Sequence, residues 1–350
     1  MNNHELFMNR CLELALKGLG NVSPNPMVGC VIVVDDKIIA EGHHQEYGKA
    51  HAEVNAIAKV TDKELLKKAT LYVNLEPCAH FGKTPPCADL IVENKIPHVV
   101  IGSVDSNSLV SGKGIEKLKK AGIKVETGIL EAECKKLNIR FFTFHEKKRP
   151  YVILKWAETM DGFIDADRTE NNTQKALQVS NAASKKLVHQ WRSQEQAIMV
   201  GTNTALLDNP QLTVRDVEGK NPLRITIDKW LRIPKKNNLF DQSTPTLVFT
   251  AADAVSENNL EFVKIDFEAP VVPQLMNELY KRNILSLLVE GGEQLLTSFI
   301  KADSWDEARV FVAIKKAGKG VKAPVMNEQP VRTENSSGDR LLWFENNKVN

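Results

Sequence analysis

The sequence predicts an α/β protein built as two domains, each a sheet with helices packed on its faces. Strand-like and helix-like segments alternate in both halves, and 350 residues exceed what one hydrophobic core usually fills. A charged run ending in proline, His145-Glu146-Lys147-Lys148-Arg149-Pro150, lies between the halves. We therefore expect domains over residues 1–146 and 150–350.

Apolar residues recur at helical spacing over 5–17, through Leu6, Cys11, Leu14 and Ala15, until Gly18 and Gly20 end the pattern. Residues 28–34 and 38–41, joined by Asp35-Asp36-Lys37, read as a hairpin, and 70–74, 98–102 and 123–127 as further strands. Helices are expected near 51–59, 86–94 and 115–121. In the second half, 151–156, 197–200, 223–227, 246–250, 285–289 and 309–314 look like strands of one sheet, with helices over 185–192 and 293–300. The polar tail beyond Arg332 carries no assignment.

The composition narrows the function. Apolar residues make up 42% of the chain, enough for two cores. The 46 basic and 44 acidic side chains leave a net charge of +2, without the concentrated positive field that nucleic-acid binding needs, so no nucleic-acid partner is expected. Five cysteines are an odd number, which favours a reducing compartment over a disulfide framework and points to the cytoplasm. No apolar stretch has the length of a membrane span, and Met1-Asn2-Asn3-His4-Glu5 is too polar for a secretory signal.

The chemistry concentrates in His51-Ala52-Glu53, opening a helix, and in Pro77-Cys78 through Pro86-Cys87, following a strand. A catalytic zinc keeps one of four positions for water, so His51, Cys78 and Cys87 complete a three-ligand set. Glu53 is close enough to shuttle protons without being needed as a ligand. H-x-E followed by P-C-x-x-C marks zinc-dependent nucleobase deaminases. Here eight residues, Ala79 to Pro86, separate the cysteines, with Gly82 and Pro85-Pro86 shaping a tight loop and His80 and Lys83 placed beside the metal. A structural zinc clip is the competing reading, although it would recruit a fourth ligand and has no use for Glu53.

The second half has no comparable cluster and no G-x-G-x-x-G, so a nicotinamide site there must differ from the Rossmann motif. Glu290-Gly291-Gly292, directly before a helix, lets backbone N–H groups approach a pyrophosphate, and Arg192 and Arg215 suit phosphate; a plain turn and solvated arginines remain open.

The segment Asn74-Leu75-Glu76-Pro77-Cys78-Ala79-His80-Phe81-Gly82-Lys83-Thr84-Pro85-Pro86-Cys87 resembles the zinc segment of the bifunctional riboflavin-biosynthesis deaminase/reductase family, with its E-P-C-x-H-x-G-[KR]-T-P-P-C pattern. Ser23-Pro24-Asn25-Pro26-Met27-Val28-Gly29 and His51-Ala52-Glu53 are similar to the same family upstream. Arg149-Pro150-Tyr151-Val152-Ile153-Leu154-Lys155, Met160-Asp161-Gly162, the run from Val200 to Arg215, Asn221-Pro222-Leu223-Arg224 through Asp228, and Val289-Glu290-Gly291-Gly292 resemble its reductase half. Ala79 stands where a serine is common, serines replace the prolines of D-P-N-P after Asp105, and Leu177 to Asn181 replaces W-I-T-[GS].

The resemblance implies a cytidine-deaminase-like three-layer domain followed by a dihydrofolate-reductase-like domain. It further implies zinc and NADPH as cofactors, a small-molecule pyrimidine ribotide as substrate, and a homo-oligomer. Asn25, His44, His80 and Lys83 would hold pyrimidine and phosphate. Ala157, Thr204, Asp208 and Gly292 to Ser298 would line the cofactor, and Arg192, Leu212, Arg215 and Glu290 would face the reductase substrate, with Lys155 and Asp208 orienting or polarising it. An active deaminase with a degenerate reductase, and a nucleoside or nucleic-acid deaminase, are the alternatives.

Overall fold

The computed structural model describes residues 3–81, 85–107, 111–169 and 174–346. Two compact units meet in sequence between Lys148 and Arg149. Lys148 ends a helix in the left-handed conformation. Arg149 opens the second unit by a bidentate contact to Asp306, at 2.6 and 2.7 Å, whose carboxylate also accepts from the Val152 N–H.

The first unit carries strands β1 (Gly29–Val34), β2 (Lys37–His43), β3 (Thr70–Leu75), β4 (His98–Ser103) and β5 (Lys124–Thr127), in the sheet order β2-β1-β3-β4-β5. β1 runs antiparallel to β2 and β3, and β3, β4 and β5 are parallel. Successive side chains alternate between the faces, and both faces are covered. Val31, Val33 and Tyr72 pack on Phe7, Cys11 and Leu14 of α1 (Asn3–Leu16). Cys30, Ile32 and Val73 pack on Ala52 and Ala56 of α2 (Ala52–Ala58) and Ala88 and Ile91 of α3 (Cys87–Glu93). This gives the expected three layers, and explains why every residue of β1 is buried. At Gly42 a Cβ would lie 2.3 Å from the Ala52 carbonyl oxygen, so only glycine lets α2 approach the sheet this closely. α4 (Lys113–Lys120) falls where expected; α5 (Glu131–Leu137) and α6 (Ile139–Lys147) were not anticipated, their capping positions being occupied by Leu130 and Asn138 without side-chain caps.

The second unit holds a nine-stranded sheet. Its strands are β6 (Tyr151–Thr159), β8 (Ala197–Val200), β9 (Leu223–Ile227), β10 (Thr246–Thr250), β11 (Leu260–Lys264), β12 (Ser286–Val289), β13 (Glu307–Ala313), β15 (Arg332–Ser336) and β16 (Asp339–Glu345). The order is β11-β10-β9-β8-β12-β6-β13-β16-β15, parallel except for the last two pairs, while β7 (Phe163–Asp165) and β14 (Val321–Lys322) pair separately. The tail beyond Arg332, without an assignment from sequence, is an antiparallel hairpin that buries Leu341 and Phe344. Helices α7 (Ala182–Gln194), α9 (Val271–Lys281) and α10 (Glu293–Lys301) flank the sheet. The Gly201-Thr202-Asn203-Thr204 segment belongs to a short helix, α8 (Thr202–Asp208), and not to a bare turn. Strand order runs outward from β8 to β11, then returns to β12 between β8 and β6, so the carboxyl ends of β8 and β12 form the crevice where such sheets bind ligands.

Candidate active sites

In the first unit the expected zinc ligands converge. Ligand atoms of His51, Cys78 and Cys87 all lie within 4.8 Å of one another. His51 occupies the N-cap of α2 and Cys87 is the first residue of α3, whereas Cys78 lies in the coil after β3 rather than at a helix start. His51 Nδ1 is 3.3 Å from Cys87 Sγ and 3.6 Å from Cys78 Sγ. Zinc bonds of about 2.3 Å to sulfur and about 2.0 Å to nitrogen, at tetrahedral angles, place such donors roughly 3.6 Å apart. The separations therefore fit a zinc tetrahedron. Cys78 Sγ accepts from the Cys87 N–H at 3.3 Å. The Cys87 thiol, helped by the His51 ring and against burial, holds Cys78 well below the ordinary thiol range, while Cys78 and burial push Cys87 up.

Glu53, only 3% exposed, stands in the first turn of α2, and burial raises its carboxyl. It lines a cavity of about 280 Å³ together with His51, Cys78, Asn25, His44 and His80. His44 Nδ1 contacts the Ala50 carbonyl oxygen at 3.0 Å, so that nitrogen must donate, leaving Nε2 to accept from the Asn25 amide at 3.1 Å. Burial lowers the His44 pKa, in keeping with a neutral ring. Lys83 lies outside the described residues. The same cavity is lined by Asp105, Asn107 and Phe141, which sequence reasoning did not select. Burial carries the Asp105 carboxyl up to about 7, against the Asn107 N–H and with help from Glu76. The signal for Asp105 and Asn107 was their place in the altered D-P-N-P segment.

In the second unit Arg192 grips Glu290 through two 2.8 Å contacts, and Lys155 Nζ is 3.7 Å from the same carboxylate. Burial pushes Glu290 up, yet Arg192 and Lys155 outweigh it and bring the carboxyl to about 2. Burial lowers Lys155 despite Glu290, because Arg192 is the closer partner of that carboxylate and repels the ammonium. Arg192 also reaches the Thr213 carbonyl oxygen, and Arg215 donates its N–H to His189 Nδ1 on α7. Leu212, 2% exposed with φ of +55°, turns the chain there. Thus Arg192, Glu290, Lys155 and the 212–215 loop form one neighbourhood, although the Arg215 guanidinium is exposed and bonded to Gln211 and Thr213.

Thr204 Oγ1 accepts from the Gly292 N–H at 3.1 Å, tying α8 to α10. That N–H is therefore engaged within the protein and not left to a pyrophosphate. A Cβ on Gly292 would meet Thr204 Oγ1 at 3.3 Å and one on Gly291 would meet Leu295 at 2.6 Å, so glycine at both positions lets the turn into α10 pack closely on Thr204 and Leu295. Ala157 lies on β6 opposite Phe311, and the Ser298 hydroxyl donates to its own helix at the Leu295 carbonyl. Asp208 is exposed and paired with Arg168, which also holds Asp165. In the segment that replaces W-I-T-[GS], Asn181 caps α7 by accepting from the Ser184 N–H at 2.8 Å.

Comparison with known proteins resolves what this pair of units is. Residues 1–103 match the family model for the cytidine and deoxycytidylate deaminase zinc-binding region, and residues 150–339 match the RibD C-terminal domain. The riboflavin biosynthesis protein RibD of Aquifex aeolicus is 40% identical over 97% of both chains. The chain belongs to the RibD family. A Thermotoga maritima structure described as a diaminohydroxyphosphoribosylaminopyrimidine deaminase/5-amino-6-(5-phosphoribosylamino)uracil reductase superposes with a TM-score of 0.88 at 40% identity, covering 98% of each chain. An Acinetobacter baumannii RibD structure gives 0.87 at 31% identity and the same coverage. The chain is thus a bifunctional RibD enzyme of riboflavin biosynthesis, with a zinc-binding deaminase domain and an NADPH-using reductase domain, acting on a small-molecule pyrimidine. Among the described residues no helix is long and apolar enough to cross a membrane.

Proposed function

We propose that residues 1–146 deaminate 2,5-diamino-6-(5-phosphoribosylamino)pyrimidin-4-one and that residues 150–350 then reduce its ribosyl side chain to ribityl, in the cytoplasm, as a homo-oligomer and without a nucleic-acid partner. The observation that carries this reading is the convergence of His51, Cys78 and Cys87 at zinc-tetrahedron distances beside the buried Glu53.

His51, Cys78 and Cys87 would hold the metal, which when bound would supply a water acidified to a pKa of roughly 7. Glu53 does the proton work. Its carboxyl, raised by burial, takes one proton from the attacking water and delivers it to the ring nitrogen, then takes the second from the hydroxyl of the tetrahedral carbon and gives it to the amine, so that the C–N bond breaks to ammonia as the carbonyl forms. Asn25 and the neutral His44 orient the pyrimidine, and His80, at the exposed side of the cavity, faces its phosphate.

In the second unit Ala157, Thr204, Asp208, Gly292 and Ser298 line the cofactor, and NADPH supplies the hydride. Arg192, Leu212, Arg215 and Glu290 face the substrate. The buried Lys155 is held against Glu290, from where its ammonium polarises the sugar oxygen. The intact Arg192, Glu290 and Lys155 cluster favours an active reductase over a degenerate one.

A coupled assay with the diaminopyrimidine ribotide, following ammonia release and NADPH absorbance together, tests both halves. Both signals are expected. Ammonia without NADPH loss would leave a deaminase alone, and neither signal would return the zinc site to a structural clip.

A further inference from the structure

We propose that Glu76 is a positioning residue of the deaminase: its carboxylate pins the pocket wall made by Asp105 and Asn107 to the loop that carries Cys78. This role rests on the deaminase reading above. Glu76 leaves β3 two residues before Cys78 and is 4% exposed. A buried carboxylate is costly unless its lone pairs are satisfied, and here backbone donors satisfy them. Oε1 accepts from the N–H groups of Gly114 at 2.9 Å and Ile115 at 3.2 Å, while Oε2 accepts from those of Gly112 at 2.9 Å and Asp105 at 3.3 Å. These four contacts use the roughly four acceptor sites of a carboxylate. Three of the donors belong to the start of α4, where a negative charge is favoured by the helix dipole. The fourth opens the segment that enters the cavity.

Two further contacts make the arrangement one unit. The Asn107 N–H donates to Asp105 Oδ1 at 2.6 Å, so the backbone anchored at Asp105 also sets Asn107. On the other side, a Cβ at Gly114 would lie 2.0 Å from the Pro77 carbonyl oxygen, so only glycine lets α4 rest against the residue preceding Cys78. Glu76 thus stands between the metal loop and the substrate wall. The zinc donors contact one another independently of Glu76.

Glutamine at this position keeps the shape but puts an amide NH₂ where backbone N–H groups need an acceptor. In the full-length zinc enzyme, Glu76→Gln is expected to raise KM for the ribotide by roughly tenfold or more while kcat for ammonia release stays within about threefold. Zinc content and NADPH-linked turnover stay at wild-type levels, and Glu76→Asp recovers part of the KM. In an Asn107→Ala background, Glu76→Gln adds less than about a twofold further effect, because both changes act through the same wall. The proposal is overturned if KM is unchanged, if either Glu76 variant loses zinc together with activity, or if the Glu76 and Asn107 effects multiply in full. An unmutated enzyme that releases no ammonia would instead overturn the deaminase reading itself.

Discussion

In the first unit the site is assembled from a short stretch: His51 caps one helix, Cys87 starts the next, and Cys78 lies in the coil before it. In the second, Lys155 comes from β6, Arg192 from α7 and Glu290 from the end of β12, and the sheet must form before they meet. A metal demands fixed donor types at fixed distances, so its site is written as a compact motif. A buried ion cluster demands only that charges compensate, and any folded route that brings them together serves. The first site should therefore tolerate loss of its proton carrier without structural change, and the second should not tolerate loss of an ion partner.

The strongest test of that contrast is Glu53→Gln. It is expected to cut ammonia release by about 10²- to 10⁴-fold while zinc stoichiometry and thermal stability hold, because the carboxyl is not a ligand. Reduction of already deaminated substrate should continue; if zinc leaves with the glutamate, the division between ligands and proton carrier is wrong. Arg192→Ala should behave in the opposite way. It removes the two-point grip on Glu290 and leaves that carboxylate only Lys155, 3.7 Å away, costing about 3 kcal/mol in urea unfolding of the second unit as well as NADPH oxidation, while ammonia release is spared. Arg192→Lys should not rescue it, since one ammonium cannot reproduce the two-point grip.

Acid sharpens the comparison further. Glu290 is brought to about 2 in the folded state, below the ordinary 4.5, once Arg192 and Lys155 have overcome burial. Its contribution is present in full above pH 4.5 and is lost as pH falls toward 2, a change on the order of 3 kcal/mol. Acid titration of stability, read in the second unit by circular dichroism, should show this loss, and Glu290→Gln should flatten it. An unaltered acid profile in that variant would mean the cluster does not hold the fold.

Most of both sheets was legible because their strands are buried on two faces and bounded by turn residues, as at 197–200 and 223–227. The zinc ligands were legible because motif chemistry is local. Two of the elements that escaped lack one of these signals, whereas α9, unassigned from sequence, carries a plain helical pattern in Val272, Leu275, Met276 and Leu279. α8 begins with Thr202-Asn203-Thr204, poor helix formers, and contributes one buried residue, Ala205. The edge strand β15, Arg332–Ser336, is mostly exposed and reads as polar tail. Asp105 and Asn107 escaped as site residues because nothing in their own stretch of sequence places them against the metal loop; the contact that does so comes from Glu76, at the end of the neighbouring strand β3.

The smallest expected effect tests whether α8 and α10 act together at the cofactor crevice. Thr204 supplies a single acceptor for the Gly292 N–H, and one neutral hydrogen bond contributes about 1 kcal/mol. Thr204→Ala should therefore raise the KM for NADPH about fivefold and leave kcat and the deaminase unchanged, with Thr204→Ser close to wild type because it keeps the oxygen. The sign could reverse for a simple physical reason: without Thr204 the Gly292 N–H becomes available to an incoming phosphate at the start of α10. A lower KM in Thr204→Ala would then mean that the hydrogen bond competes with the cofactor, and that the second unit binds NADPH by releasing an internal contact, where the first presents its ligands already gathered.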